Sequence, residues 1–156
     1  MRNAYKYLAY AIPVLVMVQA AAIAYAIFGF SSYMEDHAIP KGGGEEASFN
    51  GAGGFAIHAI DGQIVIPLVA IVLLIVSFFA KVPGGVKWAA FILLDVIVQI
   101  AVALLAFGAP VVGVLHGLNA LVLFGLGVAA ARRVDTAVAA APAIVSTHRA
   151  GEGAPA

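Results

Sequence analysis

Residues 55–79 read FAIHAIDGQIVIPLVAIVLLIVSFF, and this stretch decides the fold. It is longer than the ~20 predominantly apolar residues that cross a bilayer's hydrocarbon core. His58 stands about one turn inside its start. A second stretch, residues 111–133, VVGVLHGLNALVLFGLGVAAARR, repeats the layout with His116 about one turn in. An ionisable side chain inside a membrane helix costs free energy, so it marks a functional-site candidate.

Working outward, the whole chain fits this reading. It is 63% hydrophobic and only 10% charged, whereas a soluble domain needs a more polar surface. An integral, multi-pass protein of the cell membrane is expected, with the lipid bilayer as its solvent. The formal net charge of +0 gives no case for nucleic acid. The chain has no cysteine, which excludes disulfides, thiolate chemistry, iron–sulfur clusters and c-type heme attachment.

Hydropathy predicts four spans, at about residues 7–30, 55–79, 87–107 and 111–131. The first has an apolar run too long for a signal-peptide h-region, so it reads as an uncleaved anchor. Pro13 falls near the start of that span, where a missing N–H costs least. Residues 31–54 form a long loop with Glu35, Asp36, Lys41, Glu45 and Glu46. Pro67 is expected to kink the second span and free the Gln63 carbonyl. Trp88 reads as an interface anchor at the entry to the third span. Residues 134–156 are rich in alanine, proline and glycine, show no periodicity, and are expected to be a disordered cytoplasmic tail. His148 lies there and reads as a solvated residue.

Basic residues set the orientation. Arg2, Lys6, Lys81, Lys87, Arg132 and Arg133 fall on one side of the membrane, and only Lys41 falls on the other. The positive-inside rule then puts both termini in the cytoplasm. Four spans joined by one long loop and two short turns predict an all-α, antiparallel four-helix transmembrane bundle over residues 1–133.

In that topology the second and fourth spans both start at the outer face. At 1.5 Å per residue, His58 and His116 each lie roughly 5–8 Å below it. Two level imidazoles on separate helices are the usual axial ligands of heme iron in a bundle. Gly62 follows His58 by four and Ala120 follows His116 by four, so each histidine has a small residue on its own face. These would leave room for a flat macrocycle on the diagonal of the bundle. Propionates would point outward, to the N-terminal ends of the two spans and to Lys41. Two other readings stay open. Each histidine would bond a polar neighbour on another helix and hold the bundle together. Alternatively the pair would bind zinc or copper with Asp61 and with His37 from the loop.

The spans carry further polar residues. Asp61 reads as an acceptor for a histidine ring N–H. Asp95 and Gln99 are i, i+4 partners on the third span, and Gln99, Gln63 or the carbonyl freed near Pro67 is the expected bonding partner of Asp95. Asp95 is also the residue that a proton or quinol role would use. Asn119, three after His116, would orient that histidine or satisfy Asp95. Gln19 is the polar residue of the first span.

Residues 55–133 resemble one four-helix half of a heme A synthase. The matching elements are His58 with Gly62, the basic turn with Lys81 and Lys87, and Gln99 with Gly108. Pro110, His116 and Ala120 follow, and the match ends at Ala131–Arg132–Arg133. The resemblance implies a bundle whose histidine pair faces a b-type heme. The half of that family that oxidises the heme has a glutamate where this chain has Phe55, and an arginine where it has Ala59. The resemblance therefore implies heme binding without heme oxidation.

The expected function is an electron-transfer or accessory subunit of a redox complex, with heme b as cofactor. No second histidine pair lies near the cytoplasmic face, so a redox partner protein, a second copy or a quinone is the expected electron partner. The competing expectations are a cofactor-free scaffold subunit and a small proton-coupled transporter using Asp95.

Overall fold

The computed structural model describes the backbone of residues 1–36 and 48–151, with side chains through residues 35 and 136 in the two segments. Among the described residues it is helical, without strands. Four helices are long and apolar enough to cross a membrane. We label them α1 (Arg2–Asp36), α2 (Gly53–Ala80), α3 (Gly85–Gly108) and α4 (Gly113–Gly151), the last preceded by a 3-10 turn, Pro110–Val112.

The helices overrun the spans that hydropathy predicts. α1 begins at Arg2, so Pro13 lies in its interior rather than near its start. It also runs to Asp36, which shortens the loop; His37 and Lys41 lie outside the described residues. α4 continues past Arg133 to Gly151, over the residues expected to form a disordered tail. The physical reason is alanine, the strongest helix former, which compensates for the lack of an apolar face.

α1 packs against α2 and α4, and α3 packs against the same two. α2 and α4 therefore face each other across a diagonal. The core runs in heptad-like steps: Tyr5, Ala9, Ile12 and Val16 on α1, then Ile66, Ala70 and Leu73 on α2. Ala89, Ile92 and Val96 on α3 and Leu123, Ala130 and Val134 on α4 complete it. Large apolar side chains such as Phe28, Phe78, Leu104 and Phe107 face outward, as lipid contact requires. A Cβ on Gly127 would sit 2.6 Å from Pro13 Cδ, so glycine there permits a close approach of α1 and α4.

Among the described residues, basic side chains gather at one end. Arg2 donates to the Lys81 carbonyl, Lys6 pairs with Asp135 at 2.6 Å, and Arg133 lies 4.8 Å from the Trp88 ring centroid. Tyr5 Oη, in the buried core, donates to the Gly85 carbonyl at 3.2 Å. At the other end Tyr25 donates to Asn50 Oδ1 at 2.6 Å, and Phe49 stacks among Phe30, Tyr33 and Phe55. Gly51 there has φ +109, and its Cβ position lies 2.6 Å from the Tyr25 carbonyl.

Candidate functional site

The expected kink at Pro67 takes the form of a π segment, Asp61–Val65, in the middle of α2. Pro67 has no N–H to give, and its ring crowds the carbonyl four residues back. The chain widens instead, with Ile66 N–H donating to the Asp61 carbonyl five residues earlier. Such wide turns concentrate at functional sites. This one begins three residues after His58.

His58 is half-buried, and its Nδ1 lies 3.2 Å from the Gln19 carbonyl oxygen on α1. A carbonyl only accepts, so this contact assigns the ring proton to Nδ1 and leaves the Nε2 lone pair free for a ligand. Gln19 returns the contact: its Nε2 donates to the His58 carbonyl at 2.9 Å and to Asp61 Oδ2 at 3.0 Å. A Cβ on Gly62 would lie 3.2 Å from Gln19 Oε1. Gly62 therefore makes room for this carboxamide.

The same exchange recurs on the other helix pair. His116 Nδ1 lies 3.1 Å from the Gln99 carbonyl, and Gln99 Nε2 donates to the His116 carbonyl at 3.0 Å and lies 3.4 Å from His116 Nε2, a contact that His58 lacks. Asn119 Nδ2 donates to Gln99 Oε1 at 2.8 Å. Asp61 and Asn119 each stand three residues after a histidine, and each holds the glutamine that holds that histidine. The site is thus two copies of one device, Gln on one helix and His-x-x-Asp/Asn on the next.

The two copies bring the imidazoles together. Their centroids are 6.3 Å apart and their planes cross at 65°. Two metal–nitrogen bonds of about 2 Å each, plus the ring radii, call for centroids about 6 Å apart when one metal is held from both sides. The centroid spacing matches that of two imidazoles around one metal ion, while His116 Nε2 faces the Gln99 amide. Among the described residues no group of three His, Cys, Asp or Glu side chains could hold a metal in the manner of a zinc site.

Several sequence expectations change here. The acceptor for the His58 ring is the Gln19 carbonyl, not Asp61, whose i+3 position points its carboxylate at Gln19 instead. Gln99 bonds His116 rather than Asp95, and Asp95 Oδ2 is buried with no hydrogen-bond partner. Asn119 donates to the Asp95 backbone carbonyl at 3.4 Å. Ala120 packs against the buried core, while the Cβ position of Gly117, beside His116, meets nothing within 4 Å. Sequence reasoning missed the part played by Gln19. The signal was there: HAID and HGLN echo each other, and Gln19 is the counterpart of Gln99.

No family model matches the chain, and no curated protein or solved structure matches it.

Proposed function

We propose that the chain is an integral protein of the cell membrane that holds one b-type heme between His58 and His116. The bundle is antiparallel, with both termini on the cytoplasmic side, because the six basic residues of the spans' ends follow the positive-inside rule. The histidine pair then lies toward the outer face. One observation carries the reading: the two imidazoles stand 6.3 Å apart, each with Nδ1 given to a neighbouring helix's carbonyl. Two neighbouring rings with Nδ1 held in the same way suit bis-imidazole ligation, with the Gln99 amide, 3.4 Å from His116 Nε2, to be displaced by the iron.

His58 and His116 would hold the iron, and the Gln19 and Gln99 carbonyls would fix ring orientation and raise ligand basicity. The heme, when bound, supplies one-electron exchange; six-coordinate iron offers no open position for oxygen chemistry. Phe55 and Ala59 stand where the heme-oxidising half of a heme A synthase has its glutamate and arginine. Electron transfer, or service as an accessory subunit of a redox complex, is therefore the function. The electron partner is a second protein, a second copy or a quinone, since one heme near one face does not bridge the bilayer.

The test is an absorption spectrum of protein purified from heme-replete cells. A Soret band that sharpens on reduction, and that His58→Ala and His116→Ala each abolish, supports the reading. A folded, colourless protein refutes it and leaves the cofactor-free scaffold. The buried, partnerless Asp95 Oδ2 favours one further alternative, a proton-coupled transporter. That alternative predicts flux lost in Asp95→Asn.

A further inference from the structure

We propose that the turn between α2 and α3 binds the phosphodiester headgroup of an anionic phospholipid. The proposal is independent of the heme reading. Among the described residues, Arg2, Lys6, Lys81, Lys87, Arg132 and Arg133 lie at this end of the bundle. The acid there, Asp135, is paired with Lys6, and the other five cations have no carboxylate partner among the described residues.

Three of those cations reach the same turn from three helices. Arg2, at the start of α1, donates to the Lys81 carbonyl at 3.4 Å. Arg133, on α4, lies 4.8 Å from the Trp88 ring centroid, and its Nη1 is 3.4 Å from where a Cβ on Gly84 would stand. Lys87, on α3, holds its Nζ 5.5 Å from the ring centroid of Phe91, a side chain 43% exposed on the outer surface of the bundle. A guanidinium carries five N–H donors in a planar fork that matches phosphate oxygens. Arg2 gives one hydrogen bond to a carbonyl and Arg133 gives none among the described residues, so most of their donors are left for an oxyanion.

Depth selects a lipid as the source of that oxyanion. Trp88 has an apolar ring and one polar N–H, which hold it at the membrane–water boundary. A guanidinium over that ring stands at the level of the lipid phosphates. Lys87 beside it, on the lipid-facing flank, completes a cationic rim around a headgroup rather than around a solute in bulk water. Anionic lipid in the cytoplasmic leaflet is attracted to clusters of this kind.

Trp88 is the single tryptophan of the chain, so its fluorescence reports on this turn. The experiment reconstitutes the full-length protein in phosphatidylcholine vesicles doped with a lipid brominated on its acyl chains, either phosphatidylglycerol or phosphatidylcholine. Bromine quenches a tryptophan that it touches. Brominated phosphatidylglycerol is expected to quench Trp88 at a much lower mole fraction than brominated phosphatidylcholine. Arg133→Gln, Arg2→Gln and Lys87→Gln should each reduce that preference by up to about fivefold, the effect of one interfacial cation. Arg132→Gln, which removes an exposed cation outside these contacts, should reduce it less. Soluble glycerophosphoglycerol, the headgroup without its chains, should leave the preference intact. Equal quenching by the two lipids overturns the proposal. An Arg132→Gln effect as large as that of Arg133→Gln also overturns it, because the attraction is then diffuse. A preference abolished by the soluble headgroup assigns the turn to a free phosphate compound and overturns the lipid. If Arg133→Gln does not accumulate, an unchanged preference in both Arg2→Gln and Lys87→Gln overturns it.

Discussion

The pair α1–α2 and the pair α3–α4 solve one problem twice, by different routes. In both, a glutamine carbonyl takes a histidine Nδ1 proton and the glutamine amide caps that histidine's carbonyl. In the first pair the partners are 39 residues apart and the histidine helix widens into a π segment. In the second they are 17 apart, joined through a 3-10 turn, and the histidine helix runs on without such a defect. Two unlike connections reach the same bonds within 0.1 Å for the Nδ1 contact. The difference teaches that ring placement is set by the glutamine exchange and not by the loops, while the glutamine itself is held differently, as a donor to Asp61 in one pair and as an acceptor from Asn119 in the other.

The comparison breaks most visibly at the rings. His58→Ala and His116→Ala should each abolish heme retention through purification, measured as the ratio of Soret to protein absorbance, because either leaves one axial nitrogen. Unequal loss would mean that one pair alone holds the iron. The next largest effect belongs to the glutamines. Gln19→Leu and Gln99→Leu keep the accepting carbonyls but remove the amides that hold them in register. Each should weaken heme affinity about 10- to 100-fold, the usual cost of losing an outer-shell partner. Competition with apo-myoglobin measures this, and the two values should agree within a few-fold if the pairs are equivalent.

Smaller effects test the frame rather than the site. Gly127→Ala places a methyl against Pro13 Cδ and the Ala9 carbonyl, and should lower stability by about 1–3 kcal/mol, read as a drop in melting midpoint in detergent. Heme content per folded molecule should stay unchanged, since this contact lies in the apolar core. The smallest change is Asp135→Asn. It removes the solvent-side ion pair with Lys6 and should leave the melting midpoint where it is.

Much of this was legible in the sequence, for physical reasons. Four long apolar runs leave no alternative to helices, because lipid cannot satisfy exposed backbone groups. His58 and His116 stood out because a charged or titratable group in such a run is rare. The helix ends were less legible. α1 runs to Asp36 and α4 past Arg133 on propensity rather than hydropathy, and hydropathy was the signal read. The role of Gln19 was hidden because the groups that meet are a backbone carbonyl and a ring nitrogen on helices separated by a long loop. No residue type announces a carbonyl acceptor. The π segment was half legible: Pro67 signalled a defect, but not that the chain would widen over Asp61–Val65 and so aim Asp61 at Gln19.

The most direct test of the central claim, two imidazoles on one iron, is electron paramagnetic resonance of the oxidised membranes. The proposed heme site predicts a low-spin ferric signal in the wild type that converts to high-spin, or disappears, in His58→Ala and in His116→Ala. A high-spin wild-type signal, or a low-spin signal that survives either substitution, would contradict it.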